Sequence, residues 1–153
     1  MNVFGILILV GFMAFPTGAF AECEDPPAPR VDWAECDKKG ADLEGAILAA
    51  AILTDADLSG ANLEKGFLVS AAMKDADLTG ANLEEAVLMK ADLTGAEIRD
   101  ANLKGAFLGG ATLTDANLEG ANLENAFLGW ANLGNANLEN ALLFSANLVM
   151  ASL

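Results

Sequence analysis

The chain has 153 residues, with 22 acidic and 8 basic side chains and a formal charge of −14. This balance excludes direct binding to nucleic acid, because phosphate contacts need lysine and arginine. There is no histidine and no tyrosine, and the few serines and threonines lie beside no general base. We therefore expect no enzyme activity, no catalytic residue and no cofactor.

Residues 1–21 are predicted to be a secretory signal peptide. They contain no charged side chain, and the apolar run Val3–Phe15 is followed by Pro16 and by small residues at the cleavage-type positions Ala19–Ala21. We expect export to the periplasm, or to the thylakoid lumen of a photosynthetic source, with no membrane attachment after cleavage. The segment starts without lysine or arginine, however, and nearly reaches the length of a membrane span, so an uncleaved anchor is the alternative.

Residues 22–40 are expected to form an N-terminal entry segment and cap. Cys23 and Cys36 are the two cysteines of the chain, and in an oxidising compartment such a pair predicts a disulfide. The alternative is two free thiols in a reducing cytosol. Trp33 is in phase with the leucines of the repeat that follows, so we expect it to cover the first of them, because the ends of a solenoid need caps.

From Ala41 to Leu153 the chain repeats a five-residue pattern without insertion: Ala, usually Asp or Asn, Leu, and two variable residues. The leucine position departs only at Met73 and Ile98, and the alanine position only at Gly66. Neither an α-helix nor a flat strand gives these leucines a common interior. A chain that turns about 90° every pentad does, and it closes a coil of about 20 residues whose neighbours pair in parallel.

This repeat, as in Ala61-Asn62-Leu63 and Ala101-Asn102-Leu103, resembles the pentapeptide-repeat family. The resemblance implies an all-β fold, a right-handed quadrilateral parallel β-helix, over residues 41–153 in about six coils. It leaves function open, because the family ranges from DNA-mimicking topoisomerase (gyrase) inhibitors to exported proteins without an assigned role. Function has to be argued from sites.

The residue before each leucine is expected to point outward, and the coil period sorts these residues into four faces. The amide face carries Asp42, Asn62, Asn82, Asn102, Asn122 and Leu142. The apolar face carries Ile47, Phe67, Val87, Phe107, Phe127 and Asn147. The mixed face carries Ile52, Ala72, Asp92, Thr112, Asn132 and Ser152. The acidic face carries Asp57, Asp77, Glu97, Asn117 and Asn137.

The apolar face is the candidate interaction site. Its proposed contact residues are Phe67, Val87, Phe107 and Phe127, together with Trp130 at the neighbouring corner. A contiguous exposed apolar patch often marks a binding surface. The alternative is that the stacked side chains only stabilise one another. The sequence thus predicts an exported, non-enzymatic interaction or structural module with an unknown protein partner. A DNA-mimicking gyrase inhibitor is the alternative, since it would use the acidic charge, but export would keep it from gyrase.

An acidic edge is the third functional candidate. It combines the start of the acidic face with the adjoining corner, and its residues are Asp55, Asp57, Asp75, Asp77 and Glu97. Oxygen ligands suit Ca²⁺ or Mg²⁺, but the spacing matches no calcium loop. We therefore predict no specific metal site, and the further alternative function is weak binding of divalent cations.

The C-terminal coil carries apolar residues at outward positions. They are Leu142, Phe144, Val149 and Met150. Pairing with a second copy would bury them, so the pattern predicts a homodimer through this coil. The alternative is that Phe144 and Met150 fold over the end of their own chain as a cap.

Overall fold

The computed structural model describes residues 23–153, so the predicted signal peptide lies outside the described residues. Within that range there is no helix and no strand of two or more residues. Instead, a single bridged residue alternates with a two-residue turn. Each parallel bridge joins a residue to the one twenty positions later, from Asp32↔Ile52 to Asn132↔Ser152. Four pentads therefore make one coil, and each coil pairs with the next. None of the described residues belongs to a helix long and apolar enough to cross a membrane.

The parallel strands expected on each side are only one bridged residue long, because a two-residue corner follows in every pentad. In each pentad up to Leu133 the leucine N–H donates to the next coil, as from Leu43 to the Asn62 carbonyl at 2.7 Å. The second corner residue does the same, as from Gly45 to the Glu64 carbonyl at 2.8 Å. The alanine that follows the corner donates back within the turn, from Ala46 to the Leu43 carbonyl at 3.0 Å. On each side of the coil, one residue therefore remains to form bridges with both the preceding coil and the following coil.

This pattern leaves the N–H of the first corner residue without a backbone acceptor, and an Asp or Asn before the leucine supplies one. Oδ1 of Asp57 accepts from the Ser59 N–H at 2.9 Å, and Oδ1 of Asn122 accepts from the Glu124 N–H at 3.0 Å. Asp and Asn are the residues that bond the backbone two positions on. Their prevalence before leucine therefore has a local structural cause, which we call the corner cap.

The leucines and alanines of the repeat form one continuous core. The leucines on one side are fully buried in successive coils, at Leu48, Leu68, Leu88 and Leu108. The alanines of the repeat from Ala51 to Ala131 are buried as well. In the last described coil the inward leucines, such as Leu143, are only partly buried. The core therefore runs along the axis of the solenoid and leaves all four faces free to carry function.

The bridged ladder begins at Asp32, inside the segment expected to be an entry and cap. Trp33 is buried at the leucine position, and its Nε1 donates to the Asp25 carbonyl at 3.2 Å. Cys23 and Cys36 form a disulfide with Cα atoms 5.5 Å apart. Lys38, also at a leucine position, donates to the Cys23 carbonyl, and its Nζ lies 4.0 Å from the Trp33 ring centroid. The disulfide therefore holds residues 23–31 against the first coil.

Candidate functional site

The structure stacks the apolar face into one straight row. Parallel bridges connect Ile47 to Phe67, Val87, Phe107 and Phe127 in turn. Ile47, Phe67 and Phe107 remain 56%, 50% and 47% exposed, while Val87 and Phe127 are half-buried. Large apolar side chains normally lose most of their exposure on folding. Here the backbone geometry holds them outward in adjoining coils.

From Ile47 to Phe127 the apolar face lacks the corner cap, which returns only at Asn147, whose Oδ1 accepts from the Val149 N–H at 3.0 Å. A hydrocarbon side chain cannot accept a hydrogen bond, and within residues 23–153 the structure gives the N–H of Ala49, Val69 and Met89 no acceptor from a side chain or the backbone. Each lost hydrogen bond costs about 0.5–1.5 kcal/mol. Stacked pairs along a ladder return about 0.2–1 kcal/mol each. The apolar row therefore brings no clear net gain in stability, which favours a contact role over a purely structural one.

Two glycines at the next corner make room for Phe127. A Cβ atom on Gly109 would lie 2.9 Å from the Phe127 ring, and one on Gly129 would lie 2.6 Å from it. The ring therefore covers the glycine backbone, and both glycines are buried. Trp130 packs edge-on against the same ring, with centroids 6.3 Å apart. This pair extends the apolar face around the corner.

Trp130 occupies the second corner position, where 17 non-glycine residues and 8 glycines of residues 23–153 have positive φ. Its φ is +58°, and its side chain is 64% exposed. The left-handed conformation costs a residue with a Cβ roughly 1–2 kcal/mol, and for a bulky residue it is uncommon. The equivalent corner position holds Gly110 one coil earlier, at φ +65°. Trp130 therefore packs on Phe127 with part of its ring and leaves the rest of its side chain exposed beside the apolar face.

Carboxylates line one side of the apolar face. The corner between the amide face and the apolar face carries five glutamates and two lysines, and we call it the acidic border. The glutamates are Glu44, Glu64, Glu84, Glu85 and Glu124, and the lysines are Lys65 and Lys104. Lys65 is paired with Glu64 at 2.7 Å, and its hydrogen bond and charge hold the pKa of Glu64 below the ordinary value. The border therefore keeps a net negative charge.

The amide face forms a hydrogen-bonded ladder beside the acidic border. Nδ2 of Asn82 donates to Oδ1 of Asn62 at 3.2 Å, and Nδ2 of Asn102 donates to Oδ1 of Asn82 at 3.1 Å. Asn102 also donates to a carboxylate oxygen of Glu84 at 3.1 Å. These bonds hold the amide groups and part of the acidic border in fixed positions. The amide face is therefore a rigid polar surface.

The acidic face stacks Asp57, Asp77 and Glu97 on successive rungs. Hydrogen bonds from the Ser59 hydroxyl and then from its backbone N–H lower the pKa of Asp57. Asp55 and Asp75 lie at the exposed corner beside them, each at positive φ. Within residues 23–153 no three acidic or sulfur side chains come together as a group that could hold a metal ion.

The apolar residues of the C-terminal coil lie on its surface. Leu142 and Val149 are more than half exposed, Phe144 is 76% exposed and Met150 is 74% exposed. Phe144 and Met150 therefore do not fold over the core of their own coil. These four side chains are therefore more than half exposed in a single chain.

Comparison with known proteins identifies the repeat. A family model for pentapeptide repeats matches in eight copies, over residues 35–64, 71–110, 91–129 and 126–153. The chain belongs to the pentapeptide-repeat family. Its fold class is accordingly the family's right-handed, four-sided β-helix, and family members are in general interaction or structural modules. Comparison with curated proteins gives no significant match.

Several solved structures are similar to this chain. One is HetL of the cyanobacterium Nostoc sp. strain PCC 7120, a pentapeptide-repeat protein involved in regulating heterocyst differentiation. It is 33% identical, with 77% of this chain and 70% of that chain covered and a TM-score of 0.40. A pentapeptide-repeat protein of the Arabidopsis thaliana thylakoid lumen is 31% identical, with 68% and 66% covered and a TM-score of 0.27. QnrB1, a plasmid-mediated fluoroquinolone resistance protein, is 20% identical, with 77% of each chain covered and a TM-score of 0.40.

The sequence did not predict two parts of the apolar site. It did not include the glycine pair beneath Phe127, because the direction of that ring depends on a rotamer. It did not recognise the corner cap, although Asp and Asn two residues before the corner are its signal.

Proposed function

We propose that this protein is an exported, non-enzymatic β-helix that binds a protein partner through its apolar face. One observation carries the proposal: apolar residues take the outward position in five successive coils where polar residues would cap the corners, and three of them, Ile47, Phe67 and Phe107, are about half exposed. The exposed Trp130 lies at the same surface. Residues selected for stability alone would restore the corner cap and bury their apolar area.

Export is part of the proposal, and two features support it. The apolar N-terminal segment ends in small residues of the cleavage type. The two cysteines are joined in the folded chain, as suits an oxidising compartment. A reporter enzyme that is active only outside the cytoplasm, fused after Gly40, tests this part. Activity of the fusion supports export, and an inactive fusion argues for a cytosolic protein.

Crosslinking in the cell that makes the protein tests the interaction itself. A photoreactive residue is placed at Phe107 on the apolar face, and in a matched variant at Thr112 on the mixed face. The proposal expects a discrete adduct from Phe107 and none from Thr112. Equal adducts from both positions, or none from either, would contradict a specific apolar contact.

DNA mimicry is the second candidate, and the charge of −14 favours it. The stacked carboxylates Asp57, Asp77 and Glu97 would act in place of phosphates, but the same column continues as the neutral Asn117 and Asn137. A gyrase supercoiling assay with the mature protein tests this candidate. Inhibition would favour mimicry, and full gyrase activity at micromolar protein would remove it.

A further inference from the structure

The acidic border and the apolar face together define the partner's chemistry. The apolar row spans four coil-to-coil steps from Ile47 to Phe127, which is roughly 19 Å at about 4.8 Å per step. The acidic border runs along one side of it. On the other side the charged corner residue is Lys90, and the rest are small or apolar. The surface is therefore apolar along its centre and negative on one flank.

A partner strand cannot extend this surface by backbone pairing. The bridged residues of the apolar face already donate and accept along the axis, as from the Phe67 N–H to the Ala46 carbonyl at 2.8 Å. Strand addition needs a free edge with both donors and acceptors. Beside this face the corner N–H groups are free, but the carbonyls of Val69 and Met89 already accept hydrogen bonds from the preceding coil. The occupant must bind with side chains, so an amphipathic helix is the fitting element.

The dimensions suit a helix laid along the row. One helical turn rises about 5.4 Å, close to the spacing of the rungs, and roughly 19 Å corresponds to about 13 residues. Apolar anchors at i, i+4, i+7 and i+11 would then meet successive rungs. Because the acidic border follows one side only, basic residues are needed on one flank of that helix.

A second copy of this chain, a nucleic acid and an anionic membrane are disfavoured as occupants on charge. Each of them would bring negative charge to a border that is already negative. From these observations we infer that the apolar face binds an amphipathic helix of another protein, with an apolar stripe and lysine or arginine on one flank. This inference rests on the proposed function and names the partner's chemistry.

Titration with designed peptides tests the inference. The basic probe is an alanine-based helical peptide with leucine at the four anchor positions and lysine on one flank. A matched acidic probe replaces each lysine by glutamate. We expect the basic probe to bind at least about tenfold more tightly than the acidic one, with affinity that falls as salt is added. Equal binding of the two probes, or no binding of either, would overturn the inference.

Protein variants locate the binding. Phe107→Ser removes an anchor from the apolar face, and we expect about tenfold weaker binding of the basic probe. Ile52→Ser is the matched control on the mixed face and should leave affinity unchanged. Glu84→Lys combined with Glu85→Lys should abolish the preference for the basic probe. Circular dichroism and thermal unfolding of each variant establish that it is folded.

The outcomes separate the inference from the proposed function. If crosslinking at Phe107 captures a partner but the basic probe does not bind, the partner's chemistry is wrong and the proposed function stands. If there is no crosslink at Phe107, the proposed function itself is refuted. Binding of the mature protein to phosphatidylcholine vesicles, with neither probe bound, would assign the face to lipid and overturn the inference.

Discussion

Replacing Leu83 by alanine tests the inward phase of the repeat. Leu83 is 1% exposed, and the inward Leu63 and Leu103 belong to the coils on either side. Removing three carbon atoms from a buried site costs about 2.4 kcal/mol at roughly 0.8 kcal/mol per group. The coils cannot close on the gap, because hydrogen bonds near 2.7 Å hold their spacing. A residual cavity then adds roughly 1–2 kcal/mol.

We therefore expect Leu83→Ala to lower the free energy of unfolding by about 3–5 kcal/mol. Lys104→Ala is the control, because the exposed Lys104 makes no side-chain hydrogen bond or ion pair that the structure records within residues 23–153. It should change stability by no more than about 0.5 kcal/mol. Urea unfolding followed by circular dichroism measures both. Similar losses for the two variants would refute the assignment of inward and outward positions.

Three further predictions follow from the cap, the acidic face and the last coil. Cys36→Ser should lower stability by about 3 kcal/mol and shift the fluorescence of Trp33 to longer wavelength; unchanged unfolding would show that the disulfide does not hold the cap. Ser59→Ala should raise the pKa of Asp57 towards its ordinary value, as followed by carboxyl NMR. Because the folded pKa is lowered, the contribution of Asp57 to stability is present above the unfolded pKa and is lost as pH falls through the folded pKa; an unmoved pKa would exclude the Ser59 hydroxyl as the main cause. We propose that the last coil pairs with a second copy, so sedimentation at micromolar protein should show a dimer that Phe144→Asp dissociates; a monomer before the substitution would refute the pairing.

The repeat allowed the architecture to be predicted from sequence alone. A five-residue period with leucine at one position leaves few backbone geometries, and the family match and the twenty-residue bridges agree with the one expected. The inward residues follow from the same phase. Ladder strands were expected, but single bridges were found, because corners take two residues of every five.

The details of the candidate site depended on side-chain geometry that a repeat pattern does not contain. Lys38 stands at a leucine position, and only the structure shows that it bonds the Cys23 carbonyl and lies on Trp33. The sequence places Phe127 on the apolar face, but its contact with Gly129 depends on the direction of the ring. The sequence thus predicted which residues point inward, which point outward and which share a face. It did not predict the side-chain conformations that decide the contacts within a face.

Hydroxyl-radical footprinting tests the central claim that the apolar face is covered by a partner. The oxidation of Trp130, Met89 and Phe107 is compared between the purified mature protein and the cell that produces it, with the exposed Ile52 as the control on the mixed face. All four side chains are exposed in the single chain. The account predicts that the three apolar-face residues are protected in the cell while Ile52 is not. Equal oxidation of Trp130, Met89 and Phe107 in both samples would contradict it.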